Sequence, residues 1–192
     1  MCSSDLNRLD ADVLEPLLGA PALARVAELN LSNNALGEPG ALVLSSADLP
    51  HLRALSLNFA RPVDAEVGTA ALVRARYLPT LRALALNFSY VTANCAAALA
   101  DAPLGELRSL KLFGNRVGDR GAEALARSAA LGDLLELDLS DSRVGDAGAI
   151  ALAESPHMSE RLYLNLHGEP LGPRAAGALR KRFGERARFK AE

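Results

Sequence analysis

The chain has 192 residues, 49% of them apolar and 4% aromatic, no tryptophan, and a formal net charge of −2. That length supports one substantial core, which must be aliphatic, and the near-neutral charge argues against a polyanion or an anionic membrane as main partner. No apolar run reaches the ~18 residues that span a bilayer and no secretory leader opens the chain, so the expected location is cytoplasmic with no membrane contact.

Residues 1–6, Met1 to Leu6, fit no other part of the sequence. They resemble the translation of a sequencing-library adapter and are read as a non-native leader, with the authentic protein continuing upstream. Residues 7–192 are read as one repetitive domain: a truncated repeat, six repeats and a C-terminal cap over about 172–192. In the truncated repeat, Asn7, Leu9 and Val13 stand where Asn115, Val117 and Gly121 stand later.

The six repeats open on runs of one leucine spacing, at 26–31, 52–57, 81–86, 107–112, 134–139 and 161–166. A recurrence every 26 to 29 residues marks a solenoid. Within each run Leu-x-Leu alternates with period two, predicting a strand whose leucines share one face. Turn-formers follow, as in Gly114-Asn115, Gly118-Asp119 and Gly145-Asp146, and then helical patterns, clearest from Gly121 and Gly148. Asp119 and Asp146 are predicted N-caps, with Thr92 and Asp64 as their equivalents. Pro50, Pro79, Pro103 and Pro156 separate each helix from the next strand. Of the two cysteines, Cys2 lies in the leader, while Cys95 aligns with Gly121 and Gly148 and is read as a packed small hydrophobe, not a disulfide partner.

Strands that recur after a crossover helix run parallel at about 4.8 Å, whereas the helices behind them need about 10 Å. The expected fold is therefore α/β, a solenoid with a curved parallel sheet inside and helices on the convex face. The end of the chain predicts a terminal helix to about Phe183, then a short strand near Arg186 to Lys190.

The pattern resembles leucine-rich repeats of the ribonuclease-inhibitor-like type, Leu-x-x-Leu-x-Leu-x-x-Asn followed by Leu/Val-Gly-Asp-x-Gly-Ala-x-Ala-Leu-Ala. It is most faithful at 107–127 and 134–154, and the closing stretch is similar to the natural ending of bacterial members. The resemblance implies a binding scaffold without catalysis, here a C-terminal fragment of a bacterial protein. Its Asn, expected to satisfy backbone groups in the turn, is present as Asn34 and Asn115 but is replaced by Ser89, Ser142, Ala60 and Glu169 elsewhere. The Ala60 turn, in the longest repeat and beside Pro62, is expected to be the loosest.

Alternation assigns to the solvent-facing side of the sheet the candidate partner-binding residues Asn58, Asn87, Lys111, Phe113, Glu136, Asp138, Tyr163, Asn165 and His167. Phe59 and Phe88 follow their strands at equivalent positions and carry two readings, an exposed hot spot with Phe113 or inward-turned filling of the loop layer. Arg53, Arg82 and Arg108 stack along one edge, with Glu106 and Glu136 available to offset them. Motifs for catalysis, phosphate binding or zinc are missing from the sequence, His51, His157 and His167 fall in separate repeats, and no cofactor or metal is expected. Asp10 with Asp12 and Asp138 with Asp141 read as a helix-start charge and a polar strand face.

The basic end, with Arg174, Arg180, Lys181, Arg182, Arg186, Arg188 and Lys190 against Glu185 and Glu192, reads as a solvated cap or as a nucleic-acid patch. The expected function is a noncatalytic scaffold binding a protein partner on the concave face, with no small-molecule substrate. A regulatory or substrate-recognition arm of a larger enzyme or signalling protein is the alternative, and nucleic-acid binding through the basic end is the third reading.

Overall fold

Each Leu-x-Leu run forms a short strand: β1 (Glu28–Asn30), β2 (Ala54–Ser56), β3 (Ala83–Ala85), β4 (Ser109–Lys111), β5 (Glu136–Asp138) and β6 (Tyr163–Leu171). The computed structural model describes residues 9–34, 36–59 and 65–191, without the Glu169 side chain. Residues 1–6, Asn7, Ala60, Pro62, Asp64 and Glu192 lie outside the described residues.

The helices are α1 (Ala11–Leu18), α2 (Gly37–Ser46), α3 (Ala65–Leu72), α4 (Ala93–Ala100), α5 (Gly118–Arg127), α6 (Asp146–Ala153) and α7 (Pro173–Phe183). A last strand, β7 (Ala187–Ala191), pairs with β6, so that seven described strands lie side by side in chain order, all parallel. The register is unbroken from Leu29 through Leu55, Leu84, Leu110 and Leu137 to Leu164.

From Leu55 onward these central leucines are almost fully buried, and burying each contributes roughly 1.5 to 3 kcal/mol. The core runs through every repeat and includes Cys95 as a free, buried thiol. Since each strand and helix is covered by its neighbours, the spacing mismatch between the layers gives the expected concave sheet and convex helical face.

Turn polar groups are satisfied as the repeat pattern requires. Asn115 Nδ2 donates to Leu86 O (2.8 Å) and Leu112 O (2.7 Å), and its Oδ1 accepts from Ser89 N and Val91 N. Ser142 Oγ takes over part of this task by donating to Leu112 O, and Ser89 Oγ does the same with Leu57 O. Tyr77 donates its hydroxyl to Leu44 O at 3.2 Å, and burial pushes the phenol pKa well up.

The N-cap expectation needs correction. Thr92 does cap its own helix, Oγ1 accepting from Cys95 N. Asp119 and Asp146, however, lie just inside helices α5 and α6 and serve the following repeat. Asp119 Oδ1 accepts from Gly145 N (2.7 Å) and Gly148 N (3.0 Å) at the start of α6, and Asp146 Oδ1 from Gly172 N (2.8 Å) at the start of α7. The cap positions Gly145 and Gly172 carry no side-chain oxygen, so the neighbouring repeat supplies it. Glu66 in α3 reaches forward in the same way, accepting from Thr92 Oγ1 and Asn94 Nδ2. At the other helix ends Ser128 Oγ donates back to Ala100 O and Ser155 Oγ to Ala126 O.

The terminal elements follow the sequence reading closely. Helix α7 ends at Phe183, which is fully buried, and β7 begins at Ala187. Unexpected is the length of β6, nine residues, whose pairing with β7 resumes at Pro170 and Leu171 after an irregularity.

Candidate concave face and aromatic rim

The strand register sets solvent-facing side chains in rows across the sheet. One row reads Glu28, Ala54, Ala83, Ser109, Glu136, Tyr163, and the next Asn30, Ser56, Ala85, Lys111, Asp138, Asn165. The rows divide the face in two. Around β2 and β3 the small side chains of Ser56, Ala83 and Ala85 leave a shallow trough of about 420 Å³, bounded on its far side by Ser109 and Lys111. Around β4 to β6 the face is raised and charged. Lys111 Nζ lies 3.1 Å from Glu136 Oε1, and Ser109 Oγ donates to Glu136 Oε2 at 2.7 Å. Asp138 Oδ1 accepts from the amide and hydroxyl of Ser140, and Arg188 of β7 covers the Tyr163 ring at 5.4 Å.

Some candidate residues are already committed to the fold. Asn58 Oδ1 accepts from Asn87 N, and Asn87 Oδ1 from Phe113 N, each bracing the following repeat. Asn165 Oδ1 accepts from His167 N, leaving the His167 side chain exposed. The asparagine amides Nδ2 of Asn58 and Asn87 have no partner among the described residues and remain able to donate. Period-two alternation places these side chains correctly but says nothing of bonds to residues 26 or 29 positions away.

Just past the strands lies the rim. Asn33, Phe59, Phe88, Gly114 and Asp141 stand at equivalent positions, all with positive φ, at 63°, 55°, 52°, 69° and 49°. The left-handed turn bends the chain away from the sheet while each of these residues still donates its N–H to the next repeat, as Phe59 N does to Asn87 O and Phe88 N to Phe113 O. Asn, Gly and Asp suit such a conformation. Phenylalanine does not, and its left-handed backbone costs roughly 1 to 2 kcal/mol.

The inward reading of Phe59 and Phe88 is therefore replaced by the outward one: they are 47% and 37% exposed. Their rings stack at 4.8 Å, and Phe113 meets Phe88 edge-on at 4.5 Å. A Cβ at position 114 would collide with Phe88 Cδ1 and Cε1, so glycine there gives the ring its seat on the next turn. Tyr90, also left-handed at φ 59° and 47% exposed, lies under Arg116, whose guanidinium is 5.9 Å from the ring. Together with Asp141 and Arg143 these residues border an open basin of about 640 Å³. Sequence reasoning missed Tyr90, Arg116 and Arg143. The available signal was the turn column itself, in which two phenylalanines replace residues fit for a left-handed backbone.

The arginine edge also differs in detail. Arg82 pairs with Glu106 (3.7 Å) as expected, but Arg108 pairs with Asp133 (3.2 Å), since Glu136 is engaged by Lys111. Arg53 donates to Leu52 O instead. At the basic end, Arg182 donates to Met158 O (2.8 Å), Arg186 to Glu160 O (3.1 Å), and Arg180 covers Phe189 at 5.3 Å. Among the described residues no group of three or more His, Cys, Asp or Glu could hold a metal ion, and no helix is long and apolar enough to cross a membrane.

Comparison with known proteins agrees with this architecture. A family model described as Leucine Rich repeat matches residues 107–126 and 133–153, the two most regular repeats. No curated protein matches the chain. Among solved structures it resembles an internalin from Listeria monocytogenes, with a TM-score of 0.51 and 18% identity, over 98% of this chain and 52% of that one. The likeness is one of fold, and the present chain spans about half the length of that protein.

Proposed function

We propose that this leucine-rich-repeat protein is a noncatalytic scaffold that docks a protein partner on the concave face of its sheet. The observation that carries the reading is the register. Polar and ionic side chains from β4, β5 and β6 project side by side from strands locked to one another, next to a trough floored by alanines and serine. Such a surface is ordered before a partner arrives, which lowers the entropic cost of association. Lys111, Glu136, Asp138, Tyr163, Asn165 and His167 are the proposed polar contacts, while Asn58, Asn87 and Phe113 form the edge toward the rim. The Lys111–Glu136 pair is half exposed, so its role is orientation and specificity more than affinity.

Engagement of the C-terminal cations with the chain's own carbonyls and rings supports the cap reading of the basic end over a nucleic-acid patch. The test is photo-crosslinking in an extract of the source cells, with the photoreactive residue placed at Tyr163 or at the convex position Arg127. Adducts confined to Tyr163, and lost in Lys111→Glu/Asp138→Lys at unchanged melting temperature, support the concave site. Equal adducts from both positions overturn it.

A further inference from the structure

The rim has its own chemistry, distinct from that of the strand face. Two features need explanation. The turn column accepts Asn33, Gly114 and Asp141, yet in two adjacent repeats it carries phenylalanines that strain the backbone and leave their rings in solvent. Backbone conformation alone would favour asparagine or glycine there, and conformational strain of this kind gathers at functional sites. The rings are also held. Phe59 lies on Phe88, Phe88 rests over Gly114, and Phe113 abuts it edge-on, so the aromatic wall is fixed before any ligand arrives.

Across the basin stand Arg116 and Arg143, both exposed and without a carboxylate partner among the described residues, whereas Arg82 and Arg108 on the opposite edge of the sheet are ion-paired. Among the described residues Asp141 is the one carboxylate bordering the basin, so their local balance is positive. The stack itself bears on the choice of ligand. With Phe59 and Phe88 each covering one face of the other, and Phe113 and Gly114 against Phe88, the part of the platform toward Arg116 offers ring edges more than free faces. Edges carry the positive side of the aromatic quadrupole and suit aliphatic or aromatic side chains with nearby anionic groups better than stacked nucleobases.

We propose that the basin formed by Phe59, Phe88, Phe113 and Tyr90 with Arg116 and Arg143 binds an extended protein segment bearing a large apolar side chain followed by carboxylates. Spacing follows from the solenoid. Phe88, Arg116 and Arg143 belong to successive repeats about 4.8 Å apart, and an extended chain advances about 3.3 Å per residue. An apolar residue seated at Phe88 therefore has its second and third followers about 6.6 and 9.9 Å further on, on alternate faces of the segment, where the long exposed side chains of Arg116 and Arg143 flank it. The segment has the form apolar-x-acidic-acidic, running across the strands. This inference rests on reading the chain as a protein-docking scaffold, but it uses side chains separate from Lys111 and Asp138, so either can fail alone.

The probe is a fluorescein-labelled Gly/Ser dodecapeptide with the core Phe-Ser-Asp-Glu, titrated by fluorescence anisotropy against the full chain. Its controls are the Phe-Ser-Asn-Gln and Gly-Ser-Asp-Glu peptides and a twelve-nucleotide oligothymidine. A Kd on the order of 100 µM is expected for the acidic aromatic peptide, with at least tenfold weaker binding of both control peptides. Phe59→Asn/Phe88→Asn, which keeps residues suited to the left-handed turn, and Arg116→Gln/Arg143→Gln should each weaken it at least tenfold without lowering the melting temperature. Lys111→Glu/Asp138→Lys should leave it within about twofold. No binding at millimolar protein, equal affinity for the amide peptide, or insensitivity to both rim variants overturns the proposal. So does oligothymidine binding more tightly than the peptide. A peptide lost from the Lys111/Asp138 variant alone places docking on the strand face, sustaining the scaffold reading while sinking the rim.

Discussion

The repeats from β4 to β6 and those around β2 and β3 solve the same joining problem with different chemistry. In the later repeats side chains reach across each join: Asp119 and Asp146 cap the following helices, and Ser128 and Ser155 satisfy the preceding ones. Glycine at 148 permits this closeness, since a Cβ there would stand 2.9 Å from Ala122 Cβ, Asp119 Oδ1 and Val144 Cγ1. Around β2 and β3 side chains cross the joins as well, from Glu66, Tyr77, Thr80, Ser89, Asn58 and Asn87, but a partly exposed aromatic stack is added to them and the strand face is smooth. The difference teaches that a repeat array can bond every join across repeats and still gather its available apolar surface in one stretch.

The contrast breaks first at the core, which both stretches share. Leu137→Ala should destabilise by about 2 to 5 kcal/mol, because the site is fully buried and cannot collapse without disturbing both neighbours. A denaturation midpoint unchanged in that variant would contradict the register. Asn115→Ala comes next, at about 2 to 3 kcal/mol. It orphans the backbone groups of Ser89, Val91 and Leu86 at once, Leu112 O keeping the Ser142 hydroxyl, and calorimetry should show it far more damaging than Ser142→Ala, which removes fewer bonds.

Asp119→Ala should lose about 1 kcal/mol, the usual worth of a helix cap. Hydrogen exchange would locate the loss at Gly145 and Gly148 of the next repeat. Protection lost instead at the start of α5 would restore the own-helix cap that the sequence suggested. The smallest effect is expected at the rim, where Phe59→Asn exchanges relief of left-handed strain for loss of a ring stack worth about 0.5 to 1.5 kcal/mol. The net change should lie within about 0.5 kcal/mol, and a loss above about 2 kcal/mol would mean that the aromatic step serves the fold.

Much of the architecture was legible because it is periodic. Leucine spacing gave the strand phase, Pro50, Pro79, Pro103 and Pro156 marked the breaks, and the closing stretch indicated a terminal helix to about Phe183 and a strand near Arg186 to Lys190. The candidate site was legible as a face, since Lys111, Asp138 and Tyr163 do share one side of the sheet. Asn58 and Asn87 were less transparent: their oxygens are held by amides of the next repeat, a partner that local spacing does not reveal.

The amino-acid order by itself determined which strand leucines are buried and that neighbouring repeats stack in parallel, because hydrophobic period and chain direction are local properties repeated along the chain. Only the tertiary structure decided which repeat each Asp caps, where Phe59 and Phe88 point, and which arginines keep their charge unpaired. Those outcomes depend on one backbone turn meeting another some 26 to 29 residues away, and on a left-handed turn that selects one of the two directions open to the side chain.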